Sequence, residues 1–302
     1  MIDPYCFRHE FGEDLLELIT AFETPLVEVT PLSGLGYPGY EPHSFRLLFA
    51  DGRILKGRRF GNASRAAAVE YVSQFLNHEG FPKVLARARS GLLIEWIDGK
   101  PVDLTGHEPE LLKRCGALQG FMHSISVPSD SPWPPRDTIQ TWHSNLRTDL
   151  DFLAERRVLD KDESRRAYEI AAEYAPDRYE IGFVHRDFCP ENLIVRPSGD
   201  LCAIDNETLA IDSYDYDLGR TWYRWPMTPL EQQHYLEGYE RYRSPKDFLT
   251  HFSFWGIAAV VKAAVFRLEK HPAAAAVPIA RLRSLLRDSA AAIAVPAATS
   301  NA

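Results

Sequence analysis

Apolar residues Phe11, Leu15, Leu18, Ile19 and Phe22 recur at helical spacing and predict a short amphipathic helix over 11–22. The period then falls to two. Val27 to Leu32 alternates as a strand, and Phe45–Ala50 and Arg53–Phe60 alternate on either side of Asp51-Gly52, a pair that accepts the positive φ angles of a two-residue hairpin turn. On the second of these strands Ile54, Lys56 and Arg58 share one face. Asn62 and Ser64 are candidate caps for a helix through about Asn77, with Ala68, Tyr71, Val72 and Phe75 as its apolar face and Glu70 off it. Two more strand-like runs follow, Phe81 to Leu85 and Gly91 to Gly99. Beyond about Ile97 helical stripes dominate: Leu111, Cys115, Leu118, Met122 and Ile125, then Trp142, Leu146, Leu150 and Leu153, then Arg165–Tyr174, Glu231–Tyr242, Phe248–Leu268 and Ile279–Leu286. The pattern divides the chain into a strand-rich part, 1–97, and a mainly helical part, 98–302.

One stretch of the second part breaks the helical period. Phe183-Val184 and Leu193-Ile194-Val195 flank the polar block His185 to Asn192, and Leu201 to Ile204 delivers Asp205. Short β-type runs around Pro197, Ser198, Gly199 and Asp200 predict a hairpin, which makes the loop holding Asp187 and Asn192 a neighbour of the strand end holding Asp205. Two carboxylates and one amide oxygen, with no paired His or Cys, suit a hard cation such as Mg²⁺.

Charge and cysteine usage narrow the setting. The chain has 302 residues, enough for one large domain or two lobes, and a formal net charge of −8. That balance argues against nucleic acid and anionic membrane partners, which need basic surface. Cys6, Cys115, Cys189 and Cys202 are far apart and form no Cys-x-x-Cys pair, so free thiols are expected. Early acids (Asp3, Glu10, Glu13, Asp14) replace the basic-then-apolar signal pattern, and the apolar segment Phe252–Phe266 contains Lys262 and is too short to span a bilayer. A cytoplasmic location without a membrane partner is the expectation.

His185-Arg186-Asp187, four residues and Asn192, followed by Asp205 after an apolar strand, resembles the catalytic loop and metal-binding Asp of kinase-like phosphotransferases. Ile204-Asp205-Asn206-Glu207 with Asp217-Leu218 soon after is similar to the aminoglycoside and choline phosphotransferase branch. The resemblance implies an α+β, bilobal protein-kinase-like fold with an antiparallel-sheet N-lobe and a mainly helical C-lobe. It implies ATP as donor, with GTP left open, Mg²⁺, and a small-molecule hydroxyl acceptor. By the same resemblance Asp187 is the catalytic acid/base, Asn192 and Asp205 hold the metal, and Lys56, steadied by an ion pair from Glu70, holds the α and β phosphates, with Arg58 the fallback. Ile54 would cover the adenine, and backbone groups of Glu95 to Ile97 would pair with its edge. Ser33 to Gly39 is glycine-rich and is a weaker candidate for phosphate contact. Arg186 stands where the branch often has Gly, while Cys189 stands where Ser/Thr protein kinases carry Lys, and the chain between Asp205 and Asp217 is too short for a peptide-docking segment. Glu207, Asp212 and Asp215 with Trp222, Tyr223 and Trp225 suggest a pocket for a cationic acceptor, such as an amino sugar, an antibiotic, or a choline- or homoserine-like alcohol.

Overall fold

The structure, a computed structural model, describes residues 1–32, 43–76, 78–103, 108–133 and 138–288. The glycine-rich Ser33–Gly39 lies outside the described residues. Contacts gather the chain into two compact units, Met1–His107 with Pro190–Ala210, and Glu108–Cys189 with Ile211–Ala302.

The first unit is built on an antiparallel sheet of order β1-β2-β3-β5-β4, with β1 Leu26–Leu32, β2 Ser44–Phe49, β3 Ile54–Arg59, β4 Val84–Ala88 and β5 Gly91–Glu95. α1 (Arg8–Thr20) closes one face, burying Phe11, Leu15, Leu16 and Ile19 against Phe45, Leu47, Phe49, Leu55 and Leu93. α2 (Ala63–Phe75) closes the other. The Asn62 side chain caps it by accepting from Arg65 N, and Ala66 and Val69 pack on Phe60, Leu92 and Ile94. Of the predicted apolar face Ala68 and Val72 are buried, Ala66 and Val69 go inward beside them, and the half-buried Tyr71 and Phe75 pack on each other with centroids 5.0 Å apart. The β2–β3 turn also differs from expectation. Phe49 N donates to Arg53 O at 2.9 Å and positive φ is found at Gly52 (φ 86), with Asp51 outside that region. Ala50, Asp51 and Gly52 thus form a three-residue loop ending in a left-handed glycine.

The expected division at about Ile97 differs from the compact units, and the reason is a second small sheet. β6 (Lys100–Pro101), β8 (Leu193–Val195) and β9 (Leu201–Ala203) pair antiparallel in the order β6-β8-β9. Ile194, Cys202 and Ile204 then pack on Ile97, which ties this excursion of the chain to the first unit.

The second unit is helical apart from β7 (Ile181–Val184), paired with β10 (Ala210–Ser213). Its helices are α3 Pro109–Ser124, α4 Ile139–Glu155, α5 Lys161–Glu173, α6 Tyr214–Arg224, α7 Pro229–Tyr239, α8 Lys246–Thr250, α9 Phe252–Lys270 and α10 Ala276–Asp288. The predicted 248–268 helix is two helices broken at His251. The stripe Trp142, Leu146, Leu150 and Leu153 is buried as expected, and Trp142 meets Tyr216 and Trp255 in an aromatic centre. α3 and α7 cross closely because Gly116 and Gly238 leave room for the facing carbonyls of Tyr235 and Lys113, which a Cβ would strike.

Candidate active site

β3 places Lys56 on the sheet face predicted for it, opposite Arg46 in the register. Its side chain is 12% exposed, and Nζ lies 2.5 Å from Asp205 Oδ1 and 2.7 Å from Glu207 Oε1. Asp205 follows β9 with left-handed φ 61 and ψ 44, a conformation that costs about 1–3 kcal/mol in a non-glycine residue and persists where its surroundings enforce it. The 3₁₀ turn Asn206–Thr208 then carries Glu207 back toward β3. Arg65 of α2 clamps the Glu207 carbonyl, donating from Nε at 3.0 Å and Nη2 at 2.5 Å. Ser44 Oγ donates to the Glu207 carboxylate at 3.3 Å, and Arg58 Nε lies 3.7 Å from it. Burial alone would raise the Glu207 carboxyl, but Lys56 and then Arg58 outweigh it and hold it well below the carboxylate range. Burial likewise opposes the charge on Lys56, and Glu207 and Asp205 reverse the balance and raise its pKa.

The Glu70 assignment is corrected by this geometry. Glu70 Oε2 accepts from Arg87 Nε of β4 at 2.6 Å, so the helix carboxylate is used on the neighbouring strand. Glu207 takes the place beside Lys56. The signal for it stood in the sequence two positions after Asp205, on an acid that had been read toward the acceptor.

Asn192 and Asp205 come together as predicted. Leu193 pairs with Ala203 in the β8–β9 register, and Ile204 N donates to Asn192 O at 2.8 Å, so the two residues flank one end of the hairpin. Asn192 is buried, and Oδ1 of Asn206, the residue after Asp205, is buried without a hydrogen-bond partner. Such an oxygen set fits a hard cation that completes its shell with phosphate and water. Among the described residues no cluster of three or more His, Cys, Asp or Glu forms a metal site.

Ile54 is half-buried on the Lys56 face, and Ile97 is in the cluster with Ile194 and Ile204. Glu95 is more committed than expected. Its N–H donates to Lys83 O at 2.9 Å and its carboxylate accepts from Lys83 N at 3.2 Å. That N–H is thereby spent on β4's approach.

Asp187 belongs to the second unit. The loop after β7 bends through Arg186 (φ 64), and Asp217 of α6 fixes the bend: its Oδ1 accepts from Arg186 N at 2.6 Å and its Oδ2 from His185 N at 3.3 Å. Gln119 Nε2 and His123 Nε2, both from α3, reach the same Oδ2 at 3.0 Å. Burial pushes Asp217 up, and the contacts with His123, His185 and Gln119 outweigh it and lower its pKa. Burial also lowers the His123 pKa, which favours the neutral ring. Nε2–H then donates to Asp217, and Tyr239 Oη donates to Nδ1 across 2.8 Å. His123 is structural, bonded on both ring nitrogens inside the core.

Asp187 itself is 24% exposed and faces two guanidiniums of α6, with Arg220 Nη2 and Arg224 Nη1 each 3.3 Å from Oδ1. Arg224 Nη2 lies 3.2 Å from Cys189 Sγ. Neither arginine was singled out in the sequence, although their i, i+4 spacing puts them on one helix face. The acidic and aromatic run does not make one cationic pocket. Glu207 serves Lys56, Asp212 lies 3.4 Å from Arg186, Trp225 is buried against Tyr235, and Trp222 packs on Phe248 and Phe252.

The sequence model of the phosphotransferase enzyme family, APH, matches residues 37–249. No curated protein is significantly similar to the chain. Among solved structures, choline kinase LicA from Streptococcus pneumoniae is 13% identical with a TM-score of 0.66, covering 90% of this chain and 97% of its own. An aminoglycoside phosphotransferase from Alicyclobacillus acidocaldarius is 14% identical with a TM-score of 0.58, covering 90% and 96%. Amicoumacin kinase hAmiN, in complex with AMP-PNP, Ca²⁺ and Ami, is 16% identical with a TM-score of 0.60, covering 94% and 96%. These likenesses, together with the antiparallel sheet and helical unit, make the fold α+β and kinase-like.

Proposed function

Because the chain belongs to the phosphotransferase enzyme family, we propose that it transfers the γ-phosphoryl group of ATP to a hydroxyl of a small molecule. The observation that carries this is Lys56 held by Asp205 and Glu207, with Asn192 bonded to Ile204, the residue before Asp205. Phosphoryl transfer asks for position and charge neutralisation more than for covalent help, because the group in flight carries its charge on oxygens. Lys56 is the residue for the α and β phosphates, with Glu207 fixing its ammonium. Asn192 and Asp205 would hold Mg²⁺, which when bound neutralises charge on the β and γ phosphate oxygens. Asp205 is tied to Lys56 by an ion pair that a metal would compete for. Ile54, Ile97 and Ile204 supply apolar surface suited to a base, and with Glu95 N–H engaged the edge contacts fall to the Glu95 carbonyl and to Trp96 and Ile97. Asp187, on a loop pinned by Asp217, orients the acceptor hydroxyl and takes its proton. The complex of amicoumacin kinase hAmiN with AMP-PNP supports a nucleotide donor.

A cytoplasmic setting belongs to the same proposal. Among the described residues no helix is long and apolar enough to cross a membrane, and the four cysteines are free.

The test is acceptor-dependent ADP release over a panel of hydroxylated metabolites and antibiotics, with the Asp187→Ala variant as control. Turnover should fall by about 10² to 10⁴ in that variant while nucleotide binding persists. Retention of more than about a tenth of wild-type turnover would remove Asp187 from the chemistry.

A further inference from the structure

We infer that the cavity bounded by α6, α9 and α10 holds the body of an uncharged, largely apolar acceptor whose hydroxyl receives the phosphoryl group. The inference rests on the phosphotransferase reading and names the substrate class of its acceptor side. The cavity measures about 400 Å³, and its lining includes Trp222 and Tyr223 of α6, Ser253 and Gly256 of α9, and Arg281 of α10. Three features around it each weaken the fold, and a ligand gives all three a purpose. The first is Gly256, buried inside α9. Glycine destabilises a helix interior relative to alanine, because it loses more backbone freedom on ordering. In the same unit the helical glycines Gly116, Gly120, Gly219 and Gly238 are explained by packing, since a Cβ would strike the carbonyl oxygens of Tyr235, Tyr239, Trp255 and Lys113. A Cβ on Gly256 would meet the Phe252 ring first, at 3.7 Å, an ordinary contact. Packing therefore admits alanine at 256, and because Gly256 lines the cavity, a larger side chain would take up its volume.

The second and third features are the Tyr223 and Ser253 hydroxyls. Both residues line the cavity, at 9% and 6% exposed, and Tyr223 Oη and Ser253 Oγ are buried without hydrogen-bond partners. A buried donor left unpaired loses its water for nothing, and a ligand oxygen that accepts from it removes that penalty. Burial raises the Tyr223 pKa against the charges of Arg267, Arg224 and Arg220, so the phenol meets a ligand as a neutral donor. The walls give the class. Trp222, Phe252, Ile257 and Leu285 supply aromatic and aliphatic surface, and no Asp or Glu is among the described residues of the lining. Arg281, its charged residue, is half-buried and repels an ammonium. A cation would lose its water there without gaining a carboxylate, and an anion would gain one partly solvated arginine. α6 links the cavity to the chemistry: Arg220 and Arg224, in the turn that carries Trp222 and Tyr223, lie 3.3 Å from Asp187, and the Asp187 charge reaches Tyr223.

The experiment is acceptor-dependent ADP release with probes matched in shape: 3,3-dimethylbutan-1-ol against choline, and 4-methylcyclohexanol against 4-aminocyclohexanol and 4-hydroxycyclohexanecarboxylate. The uncharged member should be preferred by about 10² or more in kcat/KM, because a charge buried without a partner is strongly penalised. Gly256→Leu should raise the KM of the uncharged acceptor by about tenfold or more by occupying its space, while AMP-PNP with Mg²⁺ protects that variant as it does the wild type. Gly256→Ala should raise the unliganded Tm by about 1–3 °C. Tyr223→Phe and Ser253→Ala should each lower kcat/KM for the uncharged acceptor by about three- to tenfold with an unchanged or higher Tm, since each removes an unpaired hydroxyl. If Gly256→Leu does not fold, Gly256→Ala and Tyr223→Phe carry the test. Preference for a charged member, an unchanged acceptor KM in Gly256→Leu, or a lower Tm in Gly256→Ala, which would make it a packing glycine, overturns the inference and leaves the phosphotransferase reading standing. If no probe releases ADP, saturation-transfer NMR of 4-methylcyclohexanol tests the cavity alone. Transfer seen in the wild type and lost in folded Gly256→Leu supports the ligand site while counting against phosphoryl transfer. No transfer in the wild type ends the site.

Discussion

Lys56 shows how a single buried cation is made tolerable and useful at once. An ammonium 12% exposed would lose protons to burial, and the carboxylates of Asp205 and Glu207 at 2.5 and 2.7 Å prevent this. The two acids are not equivalent. Asp205 is half exposed and sits in a left-handed conformation, suited to exchange one partner for another, whereas Glu207 is 14% exposed and locked by Ser44, Arg58 and the clamp from Arg65. Glu207→Gln should therefore leave Lys56 and Arg58 facing each other with one anion fewer. A loss of about 1–3 kcal/mol in stability is expected, below the roughly 3–5 kcal/mol of a fully broken buried pair because Asp205 remains. The ATP KM should rise by about tenfold, in step with 1.4 kcal/mol of lost binding per decade. Glu70→Gln removes a half-exposed pair with Arg87 and should change either quantity by less than about 1 kcal/mol. Steady-state kinetics and thermal denaturation of both variants decide it. If Glu70→Gln is the more damaging, Glu207 is not the anchor of Lys56.

At the scale of elements, α6 organises the second unit. One helix supplies Asp217 to the catalytic loop, Arg220 and Arg224 to Asp187, and Tyr216 to the aromatic centre, and Asp217, Arg220 and Arg224 recur at the three- and four-residue spacing that puts them on one face. Its first turn also holds Asp215, half-buried near Asp247, where burial first and Asp247 second raise the carboxyl to about 7. A raised carboxyl keeps its proton in the folded state after the unfolded chain has released it. Stability therefore falls as pH climbs from about 4, where the unfolded chain ionises, to about 7, and no further above it. Asp215→Asn should raise the Tm at pH 8 by a few degrees, on the order of 1 kcal/mol, and match the wild type near pH 4. A lower Tm at pH 8 would mean that the charged form is stabilised at the helix N-terminus instead. The same elements show what a sequence reveals. The α4 stripe was legible because its apolar residues all face one core, and the β8–β9 hairpin because Pro, Ser, Gly and Asp mark its turn. α2 is legible only in part: Ala68 and Val72 are buried as expected, but Tyr71 and Phe75 outweigh the small Ala66 and Val69 in any apolar count, though small residues are what close packing on the sheet requires. Glu70 was misplaced because spacing along a helix says nothing of the strand beside it, and Arg87 comes from that strand. Arg220 and Arg224 have the spacing of one helix face, but spacing alone does not say what that face meets, and their place appears only once Asp187 faces them.

On the scale of the whole molecule, the groups assigned to the nucleotide and those assigned to the acceptor fall in different compact units. Lys56, Glu207, Asn192 and Asp205 are in Met1–His107 with Pro190–Ala210, and Asp187, Arg220 and Arg224 are in the other. The chain passes from one to the other between Cys189 and Pro190, inside the polar block. A ligand that binds only the folded protein stabilises it by RT ln(1 + [L]/Kd), about 2.7 kcal/mol at a hundredfold excess over Kd. This makes nucleotide binding measurable without any turnover. AMP-PNP with Mg²⁺ should raise the Tm of the wild type, and should do so equally in Asp187→Asn and Arg224→Gln, since neither residue is assigned to the nucleotide. Lys56→Ala should lose most of the increment. Asp205→Asn should lose the part that depends on Mg²⁺ while keeping whatever AMP-PNP contributes with EDTA present, because an amide is a poorer ligand for a hard cation than a carboxylate. Each variant is compared with its own unliganded Tm, which separates weakened binding from weakened folding. Equal protection in Lys56→Ala and wild type would take the nucleotide off the β3 face. Loss of protection in Arg224→Gln would instead make that arginine a nucleotide ligand.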